Sequence, residues 1–153
     1  MGADIHSFYI AKCRGTEKWF AFEAGNDDRV YAWFGIIAGV RGEPYFEAKG
    51  LPEIDCEAIK PLVEDRYYHS ATHLTLEEVR EANREKARHD NARGYGTDEY
   101  YQRIPEPDDI MERIYATAEY NSSFTPWAGT LQQFIGKENS IEDCVMYVCA
   151  FDS

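Results

Sequence analysis

Basic side chains are scarce in this chain: 16 Lys and Arg stand against 28 Asp and Glu, for a formal net charge of −12. That balance argues against direct nucleic-acid binding, because gripping a phosphate backbone needs clustered cations. No apolar run reaches the roughly 18–20 residues of a membrane span. The longest, Val30 to Val40, reads as a buried helix, so no membrane partner is expected. The four cysteines, Cys13, Cys56, Cys144 and Cys149, show no CxxC spacing, and nothing reads as a signal peptide. We therefore expect free thiols in a reducing cytoplasm. There is no HExxH, P-loop, GxGxxG or GxSxG, so the standard zinc-protease, nucleotide-loop and α/β-hydrolase signatures are missing.

Aromatic residues are plentiful, with 11 Tyr, 8 Phe and 3 Trp in 153 residues, enough to fill the core of one domain. No repeat or internal boundary divides residues 1–153, although the charged stretch at about 80–104 reads as an insertion or lid. Asp4 to Cys13 and Lys18 to Glu23 read as a β-hairpin about Arg14-Gly15-Thr16-Glu17. Val30, Trp33, Phe34 and Ile37 form a helical stripe within Arg29–Ala38, with a start signal at Gly25-Asn26-Asp27-Asp28 and Gly39 at its end.

Residues 41–52 read as an ordered loop held by Tyr45, Phe46 and Leu51, and Asp55 as the cap of a short helix reaching Tyr67. His69 to His73 reads as polar loop. Thr75-Leu76-Glu77-Glu78 is a capping box for a helix to about His89. Further on, Pro105, Pro107 and Asp108-Asp109 predict a helix with Ile110, Ile114 and Ala118 on its apolar stripe. A helical piece follows at Trp127–Ile135, and then a strand at Glu142–Phe151. The class is α+β: a small antiparallel sheet of the N-terminal hairpin and the C-terminal strand, covered by several helices.

The chemistry-bearing residues cluster at predicted element ends. Asp4 and His6, two apart in a strand, project from one side, which continues into Phe8 and Ile10. If the first and last strands are neighbours, Asp152 joins them, and His69 can meet them from its loop. Asp4, His6 and His69 are thus candidate acid–base groups, or ligands for a divalent metal that activates water. The structural alternative is that Asp4 merely orients His6.

Arg29 and Arg41 are candidate phosphate-binding cations, with Arg66 and Lys49 nearby in this organisation. An ordinary salt bridge to Asp27 or Asp28 is the competing role for Arg29. His73-Leu74-Thr75-Leu76 matches the HxTx pattern of two-histidine phosphoesterases, but no second copy exists and Thr75 is better read as a helix cap. His89 reads as solvated. Tyr95, Tyr100 and Tyr101 could stack on a base or pin a loop.

The opening MGADIH resembles that of small bacteriophage and prophage proteins beginning MGCDIH. Further pieces resemble that group in the same order: Arg29-Val30-Tyr31, Val40-Arg41, Gly50-Leu51-Pro52, His69-Ser70-Ala71-Thr72 before Leu74-Thr75-Leu76, and Phe151-Asp152. Ala3 stands where that group has Cys, which removes an N-terminal cysteine nucleophile, and Ser153 stands where Asn is usual. The resemblance implies a phage origin, and a host-cell cytoplasm as its location. It adds Tyr31, Ser70 and Asp152 to Arg29 and Arg41 as candidate ligand contacts, but implies no reaction.

Three functions follow as expectations. The first is sequestration of a phosphorylated, nucleotide-like small molecule to counter host defence, by a protein that would often be a homo-oligomer. The second is metal-assisted hydrolysis of such a signal. The third is an acidic inhibitor of a nucleic-acid-binding host defence protein.

Overall fold

The computed structural model describes residues 2–25, 29–94, 107, 114–116 and 128–153, with the backbone alone for 114–116 and 128. Its centre is a four-stranded antiparallel sheet in the order β2-β1-β6-β3. The strands are β1 (Asp4–Lys12), β2 (Trp19–Ala24), β3 (His69–Thr75) and β6 (Val145–Asp152). The first and last strands are adjacent along their whole length, from Asp4 opposite Asp152 to Ala11 opposite Val145.

Alternation along this register sorts the side chains onto two faces. Ile5, Tyr9, Ala11, Tyr147, Cys149 and Phe151 pack beneath α1 (Tyr31–Ala38) and α3 (Leu76–Ala92), in the larger core cluster. Phe8, Ile10, Val148 and Ala150 face the other way, under a 3-10 turn at Glu57–Ile59 and α2 (Lys60–Glu64). Helix α1 has nearly all of its residues buried, and Trp33, 0% exposed, donates from Nε1 to Tyr147 Oη at 3.3 Å. Removing an indole of this kind from a core costs about 3–5 kcal/mol.

The end of α1 and the start of α3 follow local chemistry. Gly39, at φ 71°, takes the left-handed conformation that closes α1. Val30 precedes α1 without a side-chain cap, and the predicted start signal at Asn26, Asp27 and Asp28 lies outside the described residues. Thr75 accepts from Glu78 N while Glu78 reaches back to Thr75 N, so α3 begins with a complete capping box. Thr75 is therefore a helix cap and no member of a phosphoesterase motif.

Four expectations are corrected. Residues 69–75 form β3, an edge strand, and no loop. Its outer side is polar because Lys49 N donates to Thr72 Oγ1 at 3.3 Å and Gly50 N to Ala71 O at 2.8 Å, so backbone pairing replaces apolar burial there. Asp55 accepts Trp19 N at its carbonyl, and the helical stretch after it ends at Glu64. Residues 114–116 pair as β4 (Ile114–Ala116) with β5 (Ala128–Thr130), where a helix had been predicted. The rest of that predicted helix, apart from Pro107, lies outside the described residues, as do Tyr95, Tyr100 and Tyr101.

The last correction divides two predicted elements. Thr130 ends β5 and caps α4 (Leu131–Ile135) through a box with Gln133, and α5 (Ile141–Cys144) occupies the start of the expected last strand. Among the described residues no helix is long and apolar enough to cross a membrane.

Candidate functional site

The predicted polar residues gather at one end of the sheet, where they partner one another across long sequence separations. Asp4 stands directly opposite Asp152, so both carboxylates and His6 share the face that carries Phe8 and Val148. His6 Nε2 donates to Asp152 Oδ2 at 2.7 Å, and its ring meets Tyr68 edge-on at 5.0 Å. A carboxylate only accepts, so Nε2 carries the hydrogen of this bond. Burial pushes the Tyr68 hydroxyl up, and the Asp152 and Asp65 carboxylates add to the shift.

Asp4 is held by Arg29 through a two-point contact, Nε to Oδ1 at 2.5 Å and Nη2 to Oδ2 at 3.1 Å. That hydrogen bonding keeps the Asp4 carboxyl below its ordinary value, against the desolvation that opposes it, with the Arg29 and His6 charges adding to the lowering. Gly2 makes the contact feasible, because a Cβ there would collide with the Arg29 guanidinium. Arg29 thus pairs with a carboxylate of β1 in an exposed salt bridge.

His69 does not join this group. It lies opposite Phe151, with the two rings 6.3 Å apart, on the face beneath the helices. Its Nε2 meets Ser153 Oγ at 2.7 Å and its Nδ1 meets Ser70 Oγ at 3.0 Å. A neutral imidazole donates to one hydroxyl and accepts from the other. The register breaks between His69 and Thr72, and Ser70 has φ 52°. The proposed metal set of Asp4, His6 and His69 is accordingly not assembled, and among the described residues no three His, Cys, Asp or Glu side chains form a metal-holding group.

The other candidates divide between structural roles and a second location. Lys49 pairs with Glu78 at 2.9 Å, Arg66 lies over the Tyr67 ring at 5.3 Å, and His73 Nδ1 donates to Gly50 O at 2.8 Å. Arg41 and Tyr31, by contrast, line a cleft of about 490 Å³ between α1, the 41–43 loop and the C-terminal end of α3. The Arg41 guanidinium sits 5.6 Å from the Tyr31 ring centre, and Arg41 has φ 61°. Gly35 and Gly42 form the floor, where a Cβ on Gly35 would lie 3.0 Å from Gly42 Cα, so the loop closes onto the helix only because both lack side chains.

His89 and Arg93 face the same cleft from α3, with Glu43 the carboxylate among its described lining residues. His89 is not simply solvated as predicted. Its Nδ1 is buried without a hydrogen-bond partner among the described residues, 3.5 Å from Asp90 Oδ1. The i,i+4 spacing of His89 and Arg93 was the available signal for a shared face, but nothing in the sequence showed that this face meets Arg41.

No family model, curated protein or solved structure matches this chain. The short sequence pieces singled out above do acquire a physical reading from the geometry. Gly2 and Asp4 serve Arg29, His6 serves Asp152, Gly50 serves the 71–73 segment, and Arg41 covers Tyr31. Each piece touches another, so most of them hold the chain's distant segments together.

Proposed function

We propose that the protein binds and sequesters a small phosphorylated ligand of nucleotide type in the cleft beneath Arg41. The observation that carries this reading is a reversal of charge. On a chain of net charge −12, the described lining of the cleft carries Arg41, Arg93 and His89 with Glu43 and the Tyr31 ring, and Asp90 stands behind His89. Guanidinium groups suit phosphate oxygens because they offer planar, paired donors. An aromatic ring offers a flat surface to a base. Hydrolysis has less support, because each group chosen for acid–base work is engaged elsewhere, Asp4 by Arg29, His6 by Asp152 and His69 by Ser153, and no metal-holding group forms among the described residues. The acidic-inhibitor reading rests on net charge alone. A role against host defence rests on the phage resemblance, and would consist in withdrawing a nucleotide signal from its receptor.

Equilibrium dialysis against linear and cyclic nucleotides, with inorganic pyrophosphate as the base-free probe, tests the reading. Retention of ligand that is recovered intact after denaturing the protein supports sequestration. New product peaks would assign an enzyme instead, and no retention across the panel would remove the cleft as a nucleotide site.

A further inference from the structure

Behind the Arg41 cleft, α3 carries a buried ion pair. Lys86 and Asp90 are 7% and 2% exposed and one helical turn apart, with Lys86 Nζ 2.7 Å from Asp90 Oδ2. The other carboxylate oxygen, Oδ1, lies 3.5 Å from His89 Nδ1. That nitrogen is buried and has no hydrogen-bond partner among the described residues, although the His89 side chain as a whole is 40% exposed. The exposure therefore belongs to the rest of the ring, which lines the cleft.

A buried polar atom without a partner is uncommon, because it forfeits about 1–3 kcal/mol of solvation. Here the partner is close at hand. The contact of Nδ1 with Asp90 stands just beyond the roughly 2.7–3.2 Å of a made N–H···O bond. A carboxylate only accepts, so that bond closes only when Nδ1 carries a hydrogen. An anionic oxygen entering the cleft asks the same of Nε2. A ring between two acceptors holds two hydrogens, and an imidazole with two hydrogens is a cation.

Resting on the binding proposed for this cleft, we propose that His89 couples ligand binding to the uptake of a proton, with Asp90 as its positioning residue. The ring, the anionic ligand and one proton from solvent combine, and the imidazolium bridges the ligand oxygen and Asp90. Among the described residues, the other titratable or charged groups about the cleft are Tyr31 from α1, Arg41 and Glu43 from the loop, and Arg93 at the end of α3. Lys86 and Asp90 stand behind, and Glu85, one turn back, is held by Arg88 at 2.6 Å. Arg41, Arg93 and Lys86 oppose a further positive charge, whereas Asp90 and Glu43 favour it. The negative charge of the ligand tips that balance toward the cation.

Titration calorimetry with 3′,5′-cyclic nucleotides tests this, because a phosphodiester keeps one negative charge across the range in which imidazole titrates. Affinity should rise roughly tenfold as the pH falls from about 8.5 to 5.5, as expected for one added charge-assisted contact. Runs in two buffers of different ionisation enthalpy should return a proton uptake that matches the slope. His89→Gln should bind at the level seen at high pH and show no slope. Nitrogen NMR of the ring in the complex should find Nδ1 carrying a hydrogen. Binding that is flat across the range, or a slope that survives in His89→Gln, would overturn the coupling and leave the binding site standing. An Nδ1 without hydrogen in the complex would overturn the role of Asp90. Cyclic nucleotides that fail to bind at any pH would also overturn the coupling, and would remove the binding site only if linear nucleotides fail as well. If His89→Gln does not fold, the proton count on the unmutated chain decides.

Discussion

Ser70 and Arg41 carry the positive φ angles found outside glycine among the described residues, 52° and 61°, and they stand in regions of opposite character. Around Ser70, at the end of the sheet, polar groups answer one another: Asp4 with Arg29, His6 with Asp152, His69 with Ser153. Around Arg41, two arginines and a histidine share a cleft in which Glu43 is the carboxylate among the described lining residues. Strained backbone persists only where its surroundings hold it, at a cost of about 1–3 kcal/mol. At the sheet end, the strained turn brings Ser70 Oγ to His69 Nδ1 beside the bulge, and the result is internal pairing. In the cleft, the strain stations a cation over an aromatic ring, in a lining where basic side chains outnumber acidic ones among the described residues. The lesson is that closeness of ionisable groups does not mark a site as well as imbalance among them.

The sharpest way to break the comparison is to reverse the cleft's charge. Arg41→Glu with Arg93→Glu should weaken binding of a nucleotide ligand by roughly 100-fold or more, since each charge-assisted contact contributes about 1.5–3 kcal/mol. Folding stability should fall by only about 1–2 kcal/mol, from the lost contact of Arg41 with Tyr31 and the acidic residue placed at the C-terminal end of α3. Titration calorimetry and urea unfolding read the two quantities. If affinity survives this variant and disappears in Arg29→Ala, the two regions have been assigned the wrong way round.

Backbone strain separates the regions more finely. Arg41→Gly and Arg41→Ala should each lose roughly tenfold in affinity, yet Arg41→Gly should be the more stable of the two by about 1 kcal/mol, because glycine accepts φ 61° freely. Ser70→Gly should stabilise to a similar degree and leave binding unchanged. A loss of binding in Ser70→Gly would join the two regions into one site. Helix α3 runs from the capping box at Thr75 to the cleft at His89, so Thr75→Ala offers a control. It should cost about 1 kcal/mol in urea unfolding while the affinity stays the same.

What the sequence revealed follows from how local each cause is. The hairpin, the apolar stripe of α1 and the Thr75 box depend on neighbours within a few residues, and all three are present. The second box, Thr130 with Gln133, was equally local and was passed over inside a presumed helix. Strand β3 was hidden because its outer hydrogen bonds go to residues 49 and 50, which lets a polar stretch stay extended. The meeting of Asp4, His6 and Asp152 needed one guess, that the first and last strands pair, and that guess suffices. The face taken by His69 needed the parity of an edge strand with an irregular register, which no pattern of residues announces. The cleft needed the packing of α1 against α3, and only Arg41 and Tyr31 were picked out beforehand.

The smallest effect belongs to Asp4, and its sign can be worked out. Its hydrogen bonds to Arg29 lower the carboxyl's affinity for protons in the folded chain. A depressed carboxyl contributes stability that is present above its unfolded value of about 3.9 and is lost as pH falls through the lower folded value. Asp4→Asn lacks that contribution at every pH. The unmutated chain should therefore melt slightly higher near neutrality, and the gap should close as the pH is taken below about 4. Glu77 is also held low, chiefly by Arg84, but it is present in both chains and cancels from the difference. Added salt should narrow the gap at neutral pH, because the pair is exposed and screened. Nucleotide binding should not respond to Asp4→Asn, if Arg29 serves the sheet end and not the cleft. A gap that widens in acid would mean that the Arg29 contact is absent in solution, and with it the reason for keeping this cation out of the binding site.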